Sequence, residues 1–230
     1  MITAVFPAAG SSVRMGKAIK NKNFMELMGE PILVRTLKTF SKSARIKFLV
    51  IVVGADEIET VEKLLANVEG LKPYAITAGG SERQYSIANG LKLVPEESEI
   101  VLVHDAARPL VSLQTIEKVI DTAEEFGGAI AAVHEKNTIK IIDDEDFVRI
   151  TPRRVHLASI QTPQGFKKKI LFDAYEQAAK DDFLGTDDAS LVERIGAKVK
   201  VVWGDYENIK ITTPEDIKIA ETFLRGKTND

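Results

Sequence analysis

Cysteine is missing from the 230 residues of this chain, which removes a disulfide frame, a thiolate nucleophile and any Cys-built zinc site. Histidine is nearly as scarce, at three. None of the three has ligand-like spacing to another, so a metal site built on histidine is not expected and His104 is read as structural. No apolar run approaches the roughly 18 residues of a membrane span, and the N-terminus lacks the charged and apolar sections of a signal peptide. A cytoplasmic protein is the default expectation. Positive charge is not in excess either: 31 Lys and Arg stand against 34 Asp and Glu, a net charge of −3, which argues against a general nucleic-acid binder. No internal repeat or low-complexity linker interrupts the chain, so 1–230 is read as one domain.

What is present is an ordinary globular composition, 44% hydrophobic and 28% charged, with one unusual opening. Ile2 to Phe6 is an apolar run that enters a loop at Pro7. Ala8, Ala9 and Gly10 then remove side-chain bulk where a strand would end, and Arg14, Lys17, Lys20 and Lys22 follow. Small residues let a ligand approach the backbone closely, and successive N–H groups make an anion cradle. A phosphate-handling loop is the functional reading; an ordinary turn with solvated lysines is the plain one. Two familiar phosphate loops are excluded. Gly10 and Gly16 have five residues between them and Lys17 is followed by Ala18, so there is no P-loop, and Ser12 stands where a dinucleotide fingerprint needs its second glycine.

Further along, strand and helix patterns alternate. Helices are predicted from Pro31 to Phe40, over 56–68, from a Ser81–Gln84 capping box to about Leu93, and from Leu113 until Gly127-Gly128. Strands are predicted at Ile46–Val53, Tyr74–Thr77, Glu99–His104 and Ala129–Val133. This order implies a Rossmann-like α/β fold, a mostly parallel sheet flanked by helices. The loop at 7–22, Gly79-Gly80 and Asp105–Pro109 all follow strands, so they should converge on one edge, where such sheets bind ligands. The alternation breaks at Asn137. Thr138–Ile142 and Phe147–Thr151, joined by four acidic residues at 143–146, read as a β-hairpin within 136–156. A lone hairpin is marginal, so it should lean on something, such as a second subunit. Beyond it, 161–166 is assigned to no element. Helices are predicted from Lys168 to Ala179 and after Thr186, strands at Lys198–Trp203 and Asn208–Thr212, and a last helix from Thr213-Pro214. Met15, Met25 and Met28 are read as core filler.

Pro7-Ala8-Ala9-Gly10 with Arg14-Met15-Gly16, and the run Lys22 to Leu33, resemble the start of sugar-phosphate nucleotidyltransferases. Gly79–Arg83 with Ser86 and Asn89-Gly90-Leu91, Val103–Pro109, Gln161–Gln164, Thr186–Ala189 and Asn208–Asp216 narrow the resemblance to cytidylyltransferases, and among these to the 2-C-methyl-D-erythritol 4-phosphate cytidylyltransferases of the non-mevalonate isoprenoid pathway. It runs in order from about residue 2 to 224. Departures from the family pattern fall at Ser11-Ser12, Asn21, Asn137 and Ala158.

The resemblance implies a nucleotide-diphospho-sugar transferase fold and transfer of CMP from CTP to a sugar-alcohol phosphate, with release of pyrophosphate. It assigns Arg14, Lys22 and Lys210 as catalytic cations. CTP would lie against Pro7, Ala8, Ala9, Gly10, Ser11, Gly80, Ser81, Ser86 and Asp105, with Asp105 holding Mg²⁺. The acceptor would meet Asp105, Arg108, Thr138, Arg154 and Thr162. Arg83 is expected to order its loop. The hairpin arm would cross to the partner of a homodimer, so that Arg154 grips the acceptor phosphate in trans. No general base is needed, because the attacking phosphate is already ionised. Without the resemblance, Asp105 reads first as a turn stabiliser and Lys210 as a solvated edge lysine. A ribitol 5-phosphate cytidylyltransferase, a related glycosyltransferase and a non-catalytic nucleotide-binding module are the competing functions. The single carboxylate at 105 disfavours the glycosyltransferase, which usually carries Asp-x-Asp.

Overall fold

The structure is a computed structural model that describes residues 1–10 and 21–228. Ser11 and Arg14 therefore lie outside the described residues, as does Met15. The strands are β1 (Ile2–Pro7), β2 (Glu26–Leu27), β3 (Glu30–Pro31), β4 (Ile46–Val53), β5 (Tyr74–Ala78), β6 (Ile100–Val103), β7 (Gly128–His134), β8 (Ile141–Ile142), β9 (Val148–Ile150), β10 (Ala158–Lys167) and β11 (Lys200–Trp203). The helices are α1 (Ile32–Ser41), α2 (Ile58–Leu65), α3 (Arg83–Leu91), α4 (Leu113–Phe126), α5 (Lys168–Lys180), α6 (Asp188–Arg194) and α7 (Pro214–Thr228). Seven strands form one sheet in the order β11-β7-β10-β6-β1-β4-β5. All pairs are parallel except the two made by β10. The sheet is thus mostly parallel, as the alternating pattern predicts.

Strands β1, β4 and β6 are buried along nearly their whole length, which is why they read as continuous apolar runs. One face packs Leu37, Phe40, Val61, Ile116 and Ile120 from α1, α2 and α4 against the sheet. The other packs Ile87, Leu171, Tyr175 and Val192 from α3, α5 and α6. A smaller third cluster holds Leu27, Ile32, Leu110, Ile211 and Ala220, seating α7 beside the β2–β3 turn. No helix among the described residues is long and apolar enough to cross a membrane.

Three local expectations are corrected, and one stretch without an assigned element gains one. Residues 161–166 are the interior of the ten-residue strand β10. Pro163 and Gly165 hide it, since proline cannot donate to a ladder; the pairing with β7 shifts register between Ile160 and Gln164, so no ladder bond is asked of Pro163. Asn208–Thr212 is not a strand, although the Ile211 N–H donates to the Ala107 carbonyl. The Ser81–Gln84 capping box is not formed: α3 starts after Glu82, with no side-chain cap, and the Gln84 amide instead donates to Phe183 O and accepts from Gly185 N–H. Met28 is not core filler but sits at a β2–β3 turn, 46% exposed with φ of 52°. Met25 does pack on the third cluster. The hairpin is present but shorter than its apolar runs, pairing Ile141 with Ile150 and Ile142 with Val148.

Gly90 lets helix α3 pack against the side chains of β1 and β4 with no room for a Cβ. A Cβ there would stand 2.8 Å from Val52 Cγ2 and 2.9 Å from Val5 Cγ1. Gly90→Ala should therefore lose about 2 kcal/mol to overpacking, where a free helix position would gain roughly 1 kcal/mol. Urea denaturation measures this, and a stabilised variant would show that α3 can move off the sheet at no cost.

Candidate active site

The carboxyl ends of β1, β5 and β6 open into a cleft of about 480 Å³. Of the residues predicted from sequence, it brings together Pro7, Ala8, Ala9, Gly10, Lys22, Gly80, Ser81, Ser86, Asp105 and Lys210. Asn23 and Arg83 also line it.

The opening loop is held by backbone and amide bonds. The Ala8 N–H donates to Val52 O at 2.6 Å, and the Ala8 carbonyl accepts from both Asn21 Nδ2 and Asn23 Nδ2 at 3.0 Å. Asn21 Nδ2 also donates to Glu57 Oε2 at 2.9 Å, and the Asn21 side chain caps the single helical turn Lys22–Phe24 through Asn23 N–H. Lys22 is thus set between two buried asparagines that grip the same carbonyl. The second loop is drawn in by Gly79, where a Cβ would stand 2.5 Å from the Ala9 Cβ. Ser86 Oγ accepts the Gly80 N–H at 3.0 Å and donates to Glu82 O at 3.0 Å, so it shapes the loop around Gly80.

Three cations meet one carboxylate. Asp105 Oδ2 lies 3.0 Å from Lys210 Nζ and 3.4 Å from Arg108 Nε, and Oδ1 lies 3.5 Å from Arg83 Nε. Burial alone would oppose ionisation of Asp105, but Lys210, Arg83 and Arg108 overrule it and hold its carboxyl well below the usual carboxylate range. Arg83 is anchored from behind by the buried Asp188 at 2.8 Å, which also accepts from Tyr175 Oη at 2.6 Å. Burial, then the Asp188 charge, raises the Tyr175 phenol above its ordinary range, so it stays protonated and donates. Arg83 therefore orders its loop, as expected, and also faces Asp105.

Arg108 and Thr162 sit behind Asp105. Arg108 Nη1 donates to Asn208 O at 2.7 Å, and the buried Thr162 hydroxyl accepts the Asp105 N–H at 3.0 Å. His104 is fully buried beside them, and burial pushes it down to about 3, so it is neutral. Thr138 and Arg154 are on the exposed arm and not in the cleft; Arg154 Nη1 donates to Lys136 O at 2.9 Å. Sequence reading missed Asn21, Asn23, Asn208 and Asp188 as builders of the site. The one available signal for Asn208 and Asp188 was that each falls inside a family motif.

Because the Asp105 carboxyl is depressed in the folded chain, its contribution to stability is present above the unfolded value of about 3.9 and is lost as pH falls through the lower folded value. Asp105→Asn leaves Lys210 and Arg108 without their counter-charge and Arg83 with Asp188 alone, and should cost about 3 kcal/mol. The gap between wild type and variant in chemical denaturation should be flat from pH 8 to 5 and shrink only below about pH 4. A gap that closes above pH 5 would show that the carboxylate is not held in this way.

Over residues 2–226 the chain matches the family described as 2-C-methyl-D-erythritol 4-phosphate cytidylyltransferase. A protein of that name from Caldanaerobacter subterraneus subsp. tengcongensis is 45% identical over 225 residues, covering 97% of this chain and 99% of that protein. One from Geobacillus kaustophilus is 46% identical over 224 residues, with 97% of both chains covered. Among solved structures, the 4-diphosphocytidyl-2C-methyl-D-erythritol synthase from Anaerococcus prevotii superposes with a TM-score of 0.87 at 36% identity, covering 97% of this chain and 98% of that one. Family, sheet order and the motifs that line the cleft agree: this chain belongs to the 2-C-methyl-D-erythritol 4-phosphate cytidylyltransferase family.

Proposed function

We propose that this cytidylyltransferase joins CTP and 2-C-methyl-D-erythritol 4-phosphate in the cleft around Asp105, forming 4-diphosphocytidyl-2-C-methyl-D-erythritol and pyrophosphate. The observation that carries the reading is the convergence of Lys22, Arg83, Arg108 and Lys210 beside a loop stripped of side-chain bulk. Four cations against Asp105, Asp188 and the cleft-lining Glu82 still leave a positive surplus, suited to a triphosphate and an acceptor phosphate. The triphosphate lies along Ala8 to Gly10, and the base is held by close backbone approach at Gly80 and Ser81. An ionised acceptor phosphate oxygen attacks the α-phosphorus, and the bond to pyrophosphate breaks. Lys22 and Lys210 stabilise the charge on the transferring and leaving groups; by resemblance Arg14 joins them. Arg108 orients the acceptor side through its planar fork.

Among the described residues, no group of three or more His, Cys, Asp or Glu could hold a metal ion. Asp105 fits Mg²⁺ as a lone carboxylate ligand, since this ion commonly takes one or two carboxylates together with phosphate oxygens and water. When bound, it would neutralise part of the triphosphate charge. The arm supports a homodimer: Ile141, Ile142, Phe147, Val148 and Ile150, all on one short hairpin, are each more than half exposed, and clustered exposed apolar side chains of this kind mark interfaces. In that dimer Arg154 would reach the partner's acceptor site. The reaction is assigned to the cytoplasm.

With CTP and Mg²⁺, pyrophosphate release should require 2-C-methyl-D-erythritol 4-phosphate; release with ribitol 5-phosphate alone would reassign the acceptor, and silence with both would leave a binding module. Lys22→Ala and Lys210→Ala should each lower kcat about 100-fold, and unchanged turnover in either would remove that lysine from the mechanism. Phe147→Asp should shift the protein from dimer to monomer in light scattering and lose activity with it. A wild-type monomer that is fully active would exclude the shared site.

A further inference from the structure

Behind the cleft, four residues close a ring of hydrogen bonds. His104 Nε2 lies 3.1 Å from the Arg108 carbonyl oxygen. Arg108 Nη1 donates to Asn208 O at 2.7 Å, and Asn208 Nδ2 donates to Thr162 O at 2.8 Å. Thr162 Oγ1 returns to His104 Nδ1 at 3.0 Å. A carbonyl oxygen only accepts, so His104 carries its proton on Nε2; Nδ1 is then a lone pair, and the Thr162 hydroxyl must donate to it. Every side chain therefore donates to the next residue, and the bonds run one way around the ring.

The ring ties together three segments far apart in sequence: the turn after β6, the interior of β10 and the stretch leading to Lys210. A fully buried neutral imidazole must satisfy one donor and one acceptor nitrogen. Here both nitrogens are taken by groups of the site, while the ring packs edge-on to Phe6 and tilted on Phe40, with centroids at 6.3 and 4.7 Å. The Thr162 oxygen also accepts the Asp105 N–H, and the Arg108 N–H closes the turn on Asp105 O at 3.0 Å. Both ends of the Asp105–Arg108 turn are thus fastened to His104, one directly and one through Thr162.

We propose that His104 is a positioning residue for cytidylyl transfer: it closes the ring that sets Asp105, Arg108 and Lys210 relative to one another, and it holds the hydroxyl proton of Thr162. Thr162 consequently has no proton to give the acceptor and serves through its oxygen and its carbonyl. This rests on the roles given above to Asp105, Arg108 and Lys210.

His104→Phe keeps the packing against Phe6 and Phe40 but removes both bonds. It should lower kcat about 10- to 100-fold, the usual cost of a slight misplacement, with KM for CTP changed less than about 2-fold, because the loops at 8–10 and 80–86 are untouched. Thr162→Val should behave alike, Thr162→Ser should restore kcat to within about 3-fold, and the double variant His104→Phe, Thr162→Val should be little worse than the poorer single. A His104→Phe enzyme with wild-type kcat, or losses that multiply in the double variant, would overturn the proposal. Lys210→Ala and Asp105→Ala run alongside separate the two levels. Normal turnover in these would fail the site reading, whereas their loss with an unaffected His104→Phe would fail the ring alone. If His104→Phe does not fold, long-range ¹H–¹⁵N spectra of the wild type decide: Nε2-protonated imidazole with a slowly exchanging Thr162 hydroxyl is expected. An Nδ1-protonated ring at neutral pH would contradict it.

Discussion

The site depends on one carboxylate. Lys210 and Arg108 on one oxygen and Arg83 on the other, each within 3.5 Å, could not be gathered without the Asp105 carboxylate between them. Their mutual repulsion in a half-buried cleft would drive the segments apart. Each cation comes from a different part of the chain: the start of α3, the turn after β6 and the stretch before α7. Asp105 therefore decides whether three distant segments make one surface. Asp188 supports the same arrangement from behind, fixing Arg83 by its second set of bonds so that this guanidinium spans two carboxylates.

The sheet explains why such an assembly is available. Parallel strands deliver β1, β4, β5 and β6 with their carboxyl ends on one edge, and the loops that follow them become neighbours. The antiparallel strand β10 is inserted between β6 and β7, which brings Thr162 beneath Asp105. The irregular pairing from Ile160 to Gln164 frees the middle of this strand from the ladder. Its polar groups can then serve the site: Gln161 and the Thr162 carbonyl both accept from Asn208. What weakens β10 as a strand is what makes it a scaffold for the cleft.

Much of this was legible in the sequence, for physical reasons. Ile46–Val53 and Ile100–Val103 show their strands because both faces are buried, and Gly127 stops α4 as a left-handed C-cap. The cleft's small residues were visible as an absence of bulk. Elsewhere local chemistry misled: Pro163 and Gly165 masked β10, and Ser81 and Gln84 matched a capping box whose polar groups had other partners. The regular look of Asn208–Thr212 concealed a segment shaped by the bonds of Asn208 to Thr162 and Gln161. The ring through His104, Arg108, Asn208 and Thr162 has no local signature, because its members are brought together only by the fold. Residue types alone suggested a turn aspartate and a solvated lysine; three-dimensional charge makes them a pair.

The central claim is that nucleotide and acceptor meet at the Asp105 cluster. A crystal structure of the protein with CTP and Mg²⁺ tests it most directly. The account predicts a triphosphate along Ala8 to Gly10 within hydrogen-bond reach of Lys22 and Lys210, with the cytosine ring against Gly80 and Ser81. Nucleotide bound elsewhere, such as in the groove beside Lys167, Lys168 and Lys169 at the opposite end of the sheet, with the Asp105 cluster unchanged, would contradict it.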